Sequence, residues 1–422
     1  MNKVWAIQGG RIIDPGRKVD RLGNLLIQNG IIIWCGAPEE QPETAVNEVI
    51  KADGLIVCPG FIDWHCHLRE PGFESKETIA TGVRAAAKGG FTTVCCMPNT
   101  SPPLDNVKTI DLVKSRAEKE DTVRVLPVAC ITQGRMGAVL ADMNTLAQAG
   151  AIGFSDDGNS VMDDNIMREA LIKSRELALP VIDHCEDPVG GPPEGEVKMV
   201  ARDLALAAET GGWLHITHVS TAGAVELIRK AKRQRVNVTA EVTPHHLELT
   251  EEIVQRYGTL AKVNPPLRTA ADRRALSRAL KEGVIDIIAT DHAPHTAADK
   301  QKEFALASAG ISGFETAFGS LMFLVHDGRF TINELIACLT SKPAALLGKR
   351  FEVGGSLAVG NAGDITIIDP DKKWLVNVDK FLSKGKNTPL EGQALKGKVI
   401  ATLFHGKLTY LDDEIKITGT KK

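Results

Sequence analysis

Histidine and aspartate residues recur along this chain where short apolar segments end. His65 and His67 stand two residues apart in the segment FIDWHCHLRE. Alternate residues of a strand point to the same side, roughly 7 Å apart, so these two imidazoles can bind one metal ion while Cys66 faces the other way. Other apolar segments end in residues of the same kind, which are Asp156, Asp157, His184, His218 and Asp291.

Imidazole and carboxylate donors without a required thiolate favour a catalytic Zn²⁺ or a similar divalent ion. Four histidines with the aspartates exceed the needs of one tetrahedral ion that keeps an open position, which favours two ions about 3.5–4 Å apart. Such a centre lowers the pKa of bound water and polarises a carbonyl group, so the pattern predicts metal-assisted hydrolysis. We expect Asp291, at the edge of this centre, to move the proton as a base and then as an acid.

Polar residues near these positions are candidates for binding a substrate. Arg69 follows His67 by two residues, and a guanidinium group placed there fits a substrate carboxylate. Asn99, Asn264 and His295 lie just beyond three further segments, although turn chemistry beside proline would also explain the asparagines. The sequence does not decide whether three further histidines support the metal ligands or have a structural role. These are His245, His246 and His292.

Short apolar strands alternate with amphipathic helices over residues 58–351, and this alternation must position the candidate residues. Eight such units in about 290 residues are the size of an α/β fold of the (β/α)₈ TIM-barrel type, whose active sites lie at the carboxyl ends of the strands. A doubly wound open sheet is the alternative, but no glycine-rich phosphate-binding turn follows the first strand. Residues 1–57 and 352–422 show alternating strand patterns, with a turn at Asn29–Gly30. We expect these two ends to form one small composite β-sandwich domain.

The composition excludes several classes of protein. The chain has 422 residues, 43% of them apolar and 24% charged, with a net charge of −3, which is typical of a globular protein and unlike a nucleic-acid binder. No apolar stretch approaches the roughly 20 residues of a membrane span, and the N-terminus does not resemble a signal peptide. Eight cysteines without a regular spacing favour a reducing cytoplasm over a disulfide framework.

Several segments closely resemble the cyclic amidohydrolase family, and within it the bacterial type I form that acts on dihydroorotate. These segments are PGFIDWHCHLREPG, GGFTTVCCMPNTSPP, GFSDDG, DHCED, HITHVST, AEVTPHH, NPPLR, IATDHAPHT and, in the tail, FLSKGKNTP. The resemblance covers nearly the whole chain. It implies the barrel with its composite domain, a divalent metal centre that is usually zinc, and the reversible hydrolysis of dihydroorotate to N-carbamoyl-L-aspartate in pyrimidine biosynthesis.

The resemblance also implies roles for individual residues of this chain. One ion would be held by His65, His67 and Asp291. The second would be held by Asp157, His184 and His218, with Asp157 bridging where many relatives have a carboxylated lysine. The substrate carboxylate and ring would contact His67, Arg69, Asn99 and His295. The pyrimidine edge would contact Asn264 and the backbone at Ala309 and Gly310.

The chain departs from the family pattern in two places. Ser308–Ala309 stands where the family usually has proline and a larger residue, which affects side-chain contacts but leaves backbone hydrogen bonds. Only 34 positions separate His184 from His218, where the family typically has a segment about twenty residues longer, and residues 187–193 resemble a join across a missing loop.

Alternative functions and partners also follow from the resemblance. The alternatives are another cyclic amidohydrolase, such as a dihydropyrimidinase or an allantoinase, and a non-catalytic scaffold for a transcarbamoylase. A dihydropyrimidinase or an allantoinase would give Arg69 no anionic substrate to bind. A non-catalytic scaffold generally lacks the metal ligands, and all six are present here. The expected partners are a small-molecule substrate and either a second copy of the chain or aspartate transcarbamoylase, with neither nucleic acid nor membrane.

Overall fold

A computed structural model describes residues 4–187, 189, 191, 193–413 and 417–419 of the chain. The strands are β1 (Val4–Asp14), β2 (Val19–Gln28), β3 (Ile31–Gly36), β4 (Glu48–Lys51), β5 (Ile56–Pro59), β6 (Phe61–Cys66), β7 (Phe91–Cys96), β8 (Arg124–Pro127), β9 (Val181–Asp183), β10 (Leu214–Ile216), β11 (Val238–Val242), β12 (Ile287–Ile288), β13 (Ile365–Leu375), β14 (Ala394–Phe404), β15 (Lys407–Leu411) and β16 (Ile417–Gly419). The helices are α1 (Ile79–Lys88), α2 (Val107–Glu120), α3 (Met143–Gln148), α4 (Asp164–Leu177), α5 (Glu194–Thr210), α6 (Ala222–Arg233), α7 (Pro244–Glu248), α8 (Glu252–Tyr257), α9 (Ala270–Lys281), α10 (Ala297–Lys300), α11 (Phe314–Leu321), α12 (Phe323–His326), α13 (Ile332–Leu339) and α14 (Ser341–Leu347).

The central part of the chain is the predicted (β/α)₈ barrel. Parallel ladders join β6, β7 and β8 in one run and β9, β10, β11 and β12 in another. Phe154 connects the two runs through parallel bridges to Ala129 and Val181, and a parallel bridge between Cys66 and His292 closes the circle. The carboxyl ends of all these segments therefore lie at one rim, where an active site is expected.

Two barrel strands are shorter than their apolar patterns predict. The fourth strand of the barrel, predicted from the apolar segment at residues 151–156, makes only the bridges at Phe154. The eighth strand of the barrel, predicted from the apolar segment at residues 284–291, is reduced to β12. In the eighth segment the backbone leaves the extended conformation at Asp291, whose φ is 45°. An apolar run does not report where the backbone turns away from its neighbour, so the pattern overestimates the length of the strand.

Threonine side chains fix the points where loops at the rim become helices. Thr78, Thr221 and Thr243 each accept a backbone N–H from the first turn of α1, α6 and α7. A side-chain acceptor at this position stabilises the start of a helix by satisfying a donor that has no partner within the helix. The two loops before α6 and α7 follow β10 and β11, so the caps limit how far the residues at these strand ends can move.

The two ends of the chain meet in one hydrogen-bonded sheet network, as predicted for the composite domain. Its strand order is β15-β14-β13-β5-β1-β2-β3, and β4 joins β1 to β16. Val57 of β5 lies opposite Ile367 of β13, which links the segment before the barrel to the segment after it. Asn29 and Gly30 turn β2 into β3 with φ values of 51° and 81°, the left-handed conformation typical of a tight hairpin. The domain boundaries at 57/58 and 351/352 stay predictions.

All eight cysteines are free thiols, and seven of them are buried. None of the helices in the described part of the chain is long and apolar enough to cross a membrane.

Candidate metal centre and active site

The six residues predicted to hold metal ions converge at the rim of the barrel. His65 lies within β6 and His67 follows its end, while His184 comes directly after β9. His218 lies two residues beyond β10, and Asp291 lies three residues beyond β12. The sixth residue, Asp157, follows the bridge at Phe154. All six side chains are buried.

Asp157 and Asp291 both lie close to the imidazoles of His65 and His67 at the end of β6. His65 Nε2 is 3.4 Å from Asp157 Oδ1 and 3.6 Å from Asp291 Oδ1. His67 Nε2 is 3.0 Å from Asp291 Oδ1 and 3.6 Å from Asp157 Oδ2. His65, His67 and Asp291 can therefore each offer one ligand atom to a common point, with all three atoms within 4.8 Å of one another.

Asp157 also faces the remaining two histidines. Its Oδ1 is 3.7 Å from His184 Nδ1 and 3.8 Å from His218 Nε2, and these two nitrogens are 2.9 Å apart. A second set of ligand atoms within 4.8 Å comprises His65, Asp157 and His218. Asp157 thus touches all four histidines, which is the position a bridging carboxylate needs.

The chemistry of these donors fits a divalent metal ion. His65 Nε2 and Asp157 Oδ1 are buried and make no hydrogen bond within the described part of the protein. Buried polar atoms are rarely left without a partner, and both atoms point toward the other candidate ligands. Nitrogen and carboxylate oxygen donors suit zinc and similar divalent ions.

Three of the four imidazoles face the centre with one nitrogen and are held through the other nitrogen. Glu241 accepts from His65 Nδ1 at 2.7 Å, Asn99 Oδ1 lies 2.9 Å from His67 Nδ1, and Glu186 Oε2 lies 3.0 Å from His184 Nε2. Partners of this kind fix the tautomer and the orientation of a metal-binding histidine. Glu186 and Glu241 were not among the predicted site residues. Glu186 lies two residues after His184 in the segment DHCED, and Glu241 lies in AEVTPHH, which ends in two histidines whose roles the sequence left open.

Charges within the centre oppose the effect of burial on its titrating groups. Burial lowers the pKa of His184, but Asp157 and Glu186 outweigh it and raise that pKa to about 10. Burial raises the pKa of Asp157, but the histidines around it lower it well below its ordinary value. Without a metal ion, a proton on His184 therefore offsets part of the carboxylate charge, and a bound cation would replace that proton.

Three site residues have a backbone conformation that is uncommon outside glycine. The φ values of Arg69, His218 and Asp291 are 63°, 31° and 45°. Such left-handed residues cost energy and concentrate at functional sites, where they aim side chains that an extended strand could not. No sequence pattern around these residues signals this conformation.

A cavity of about 210 Å³ lies beside the centre and is lined by all seven predicted substrate-binding residues. One end of it is positively charged: Arg69 Nη2 lies 3.3 Å from His295 Nε2, and Lys76 Nζ lies 3.3 Å from His295 Nδ1. Burial lowers the pKa of Arg69 to about 10, so it stays charged near neutral pH. Burial together with Arg69 and Lys76 lowers the pKa of His295 to about 3, so this imidazole is neutral.

The other predicted contacts also line the cavity. Asn264 Nδ2 donates to Glu186 Oε2 at 2.8 Å, which links this wall to His184. Ala309 O accepts from His295 Nε2 at 2.8 Å, and Gly310 N–H donates to Lys262 O at 2.9 Å. The backbone at Gly310 is therefore already bonded within the protein. Its φ is 141°, and a Cβ there would lie 2.6 Å from that of Ala293, so only glycine fits.

Several residues left open by the sequence make contacts of a structural kind. Asp156 Oδ1 accepts the N–H groups of Ile131 and Thr132, and His292 Nδ1 accepts the N–H of Gly313. His246 lies between Thr243 and the carbonyl of Pro265. Cys185 contacts Asp183 and Asp203 and none of the six candidate metal ligands among its hydrogen-bond partners.

The model of the amidohydrolase family matches residues 56–409. The chain belongs to this family. It is 45% identical over 427 residues to a protein named dihydroorotase from Thermoanaerobacter sp. (strain X514), covering 96% of this chain and 97% of that protein. It is 46% identical over 430 residues to a dihydroorotase from Pelotomaculum thermopropionicum, covering 97% of this chain and 99% of that protein.

Solved structures of family members have the same fold. An L-hydantoinase (dihydropyrimidinase) from Arthrobacter aurescens superposes with a TM-score of 0.88 at 25% identity, covering 99% of this chain and 98% of that one. A dihydropyrimidinase from Brevibacillus agri superposes with a TM-score of 0.83 at 24% identity, covering 98% and 96% of the two chains.

The sequence relatives carry residues that this chain lacks. The alignment with the Thermoanaerobacter protein spans 427 positions but takes in 96% of the 422 residues here, so about twenty positions are filled only in the relative. This agrees in size with the predicted shortening between His184 and His218, whose location stays a prediction. Within residues 187–193, three positions lie outside the described residues, namely Pro188, Gly190 and Pro192.

Proposed function

We propose that this protein is a dihydroorotase, which interconverts (S)-dihydroorotate and N-carbamoyl-L-aspartate in pyrimidine biosynthesis. The observation that carries the proposal is the half-buried, charged Arg69 in the cavity beside the six-residue centre. A cyclic amide with a carboxylate substituent matches this combination, because its carboxylate neutralises the guanidinium group while its ring carbonyl reaches the centre. The dihydroorotases that are 45–46% identical over nearly the full length support the same substrate.

The centre would hold two Zn²⁺ ions. His65, His67 and Asp291 would bind one ion, and His184 and His218 would bind the other, with Asp157 shared between them. Two bound ions would acidify water and polarise the ring carbonyl. The short distances from Asp157 to all four imidazoles support its shared position.

The residues around the cavity would orient the substrate. Arg69, with Asn99 and the neutral imidazole of His295, would bind the carboxylate. Asn264 and the backbone at Ala309–Gly310 would contact the far edge of the ring. Because Arg69 is charged and half-buried beside a neutral His295, a substrate carboxylate at this position would exchange bulk water for a charge-assisted hydrogen bond.

Asp291 would move the proton. Burial raises its pKa, but the hydrogen bond from His67 and the charge of His65 lower it well below its ordinary value, so the carboxylate is ionised near neutral pH. In ring opening it would accept the proton of the attacking water and deliver it to the leaving ring nitrogen. In ring closure the carboxylate would accept the proton of the attacking ureido nitrogen and return it to the oxygen that departs as water.

The structural neighbours favour a second candidate, a hydantoinase or dihydropyrimidinase acting on an uncharged ring. The deciding experiment compares the turnover of dihydroorotate, hydantoin, dihydrouracil and allantoin by the zinc-loaded protein. Our proposal requires a kcat/KM for dihydroorotate that exceeds the others by at least about a hundredfold, since a site built to pair a charged group discriminates strongly against an analogue that lacks the partner. Faster turnover of an uncharged ring would assign the second function instead.

The partners and the compartment are also proposals. The free cysteines support the cytoplasm, where thiols stay reduced. We propose that the chain forms a homodimer or associates with aspartate transcarbamoylase. The scaffold alternative is disfavoured by the assembled set of six ligand candidates.

A further inference from the structure

A segment from the C-terminal part of the chain packs against the cavity of the barrel. Residues 381–389 lie between β13 and β14, and Ser383 and Lys384 of this segment hydrogen-bond to the buried carboxylate of Glu77. Gly385 is so close to the barrel that a Cβ there would lie 2.5 Å from Pro294 Cβ. The segment therefore lies directly behind the loop that carries His295.

Asn387 of this segment makes a complete set of hydrogen bonds with two loops of the cavity. Its Oδ1 accepts from the backbone N–H of His295 at 2.9 Å and from Ser312 Oγ at 2.8 Å. Its Nδ2 donates to Ala293 O and to Gly310 O, each at 3.0 Å. An asparagine amide offers two donors and two acceptor sites, so every one is used.

The orientation of the amide follows from its partners. A backbone N–H can only donate and a backbone carbonyl can only accept, so the oxygen must face His295 and the nitrogen must face Ala293 and Gly310. The backbone carbonyl of Asn387 also accepts from Ser312 N–H at 2.8 Å. The residue is 3% exposed, so water cannot replace these bonds if the side chain is changed.

We infer that Asn387 is a positioning residue that fixes the substrate-binding wall formed by His295 and the Ala309–Gly310 backbone. It joins residues 293–295 to residues 310–312, which lie on separate loops, and thereby sets the distance of His295 from Arg69. The inference rests on the proposed function, because it assigns Asn387 to the wall that would bind dihydroorotate. The side chain contacts this wall and none of the six candidate metal ligands among its hydrogen-bond partners.

The position of these contacts predicts which kinetic constant changes. Asn387→Asp keeps the size and the acceptor oxygen but turns a second oxygen toward two carbonyl groups, and Asn387→Ala removes all four bonds. We expect both variants to raise KM for dihydroorotate and for N-carbamoyl-L-aspartate by about tenfold or more. We expect kcat to change less than about threefold and zinc content to stay at the wild-type value, since the centre is not disturbed.

A matched control and a milder variant separate positioning from folding. Asn361 also donates from Nδ2 to a backbone carbonyl, that of Ser356, but lies near β13 in the composite domain, so Asn361→Asp should leave KM unchanged. Ser312→Ala removes one of the four bonds and should raise KM by a smaller factor than Asn387→Ala. If the substitutions at Asn387 prevent folding, KM can still be measured in Ser312→Ala.

Amide hydrogen exchange measured by mass spectrometry tests the same inference without turnover. In the wild type, peptides containing His295 and residues 310–312 should exchange slowly, and in the Asn387 variants, or in Ser312→Ala, they should exchange faster while peptides of β6 and β10 do not change. Unchanged KM together with unchanged exchange would overturn the inference, as would loss of zinc and kcat in parallel with KM. If the wild type does not convert dihydroorotate, the proposed function fails, and the exchange result still decides whether Asn387 fixes the wall.

Discussion

Glu241 offers a sharp test of how the metal centre is built. Its Oε1 accepts from His65 Nδ1 at 2.7 Å, and its Oε2 lies 3.2 Å from His215 Nε2. In Glu241→Gln one of these two oxygens becomes an NH₂ group, which cannot accept a hydrogen bond. Either His215 loses its partner, or His65 moves its proton to Nε2, the nitrogen that faces the centre.

The size of the effect follows from these contacts. A hydrogen bond to a charged group contributes about 1.5–3 kcal/mol, and every 1.4 kcal/mol is a factor of ten in affinity. We therefore expect Glu241→Gln to weaken zinc binding by about 10–100-fold, which is the usual loss when the partner of a metal-binding histidine is removed. Competition with a chromophoric zinc chelator near neutral pH measures this affinity in the metal-free protein.

A second carboxylate provides the control. Glu248 is half-buried seven residues further along, where it accepts from Ser320, and burial raises its pKa to about 7. Glu248→Gln should retain the zinc affinity of the wild type. Wild-type affinity in a folded Glu241→Gln variant would refute the orienting role, and an equal loss in Glu248→Gln would show that any buried carboxylate in this region has the same effect.

Three further predictions concern the substrate and the proton. Arg69→Lys keeps the charge but loses the planar fork, so kcat/KM for dihydroorotate should fall at least about tenfold with zinc content unchanged, and wild-type kinetics would show that no carboxylate binds there. Metal-loaded Asp291→Asn should lose about 10²–10⁴ in rate in both directions, and near-normal turnover in either direction would move the proton-transfer role to another residue such as His295. Zinc binding should tighten as pH rises toward about 10, where His184 becomes neutral in the metal-free chain; a titration that releases no protons would contradict this.

The rim residues were predictable because they follow local rules. Two histidines two residues apart in a strand share a face, and the ends of parallel strands share a rim, so the sequence alone predicts that His65, His67 and Asp291 lie together. Their supporting partners could not be found in this way. Glu241 is 176 positions from His65, and Asn387 is 92 positions from His295, so nothing local connects them.

The backbone explains the remaining differences between pattern and structure. The eighth apolar segment predicts a strand up to Asp291, but the ladder ends at Ile288 and the chain then turns into a left-handed conformation at Asp291. The same conformation at Arg69 and His218 directs side chains that the alternation of a strand would place differently. Apolar periodicity reports which face is buried and carries no information on such turns.

The most direct test of the proposed function is a zinc titration of the metal-free protein, with the rates of dihydroorotate hydrolysis and of its synthesis measured at each step. We predict no turnover in the metal-free protein, a rise in both rates as zinc is added, and a plateau at two ions per chain. A fully zinc-loaded protein that converts neither dihydroorotate nor N-carbamoyl-L-aspartate would contradict the account.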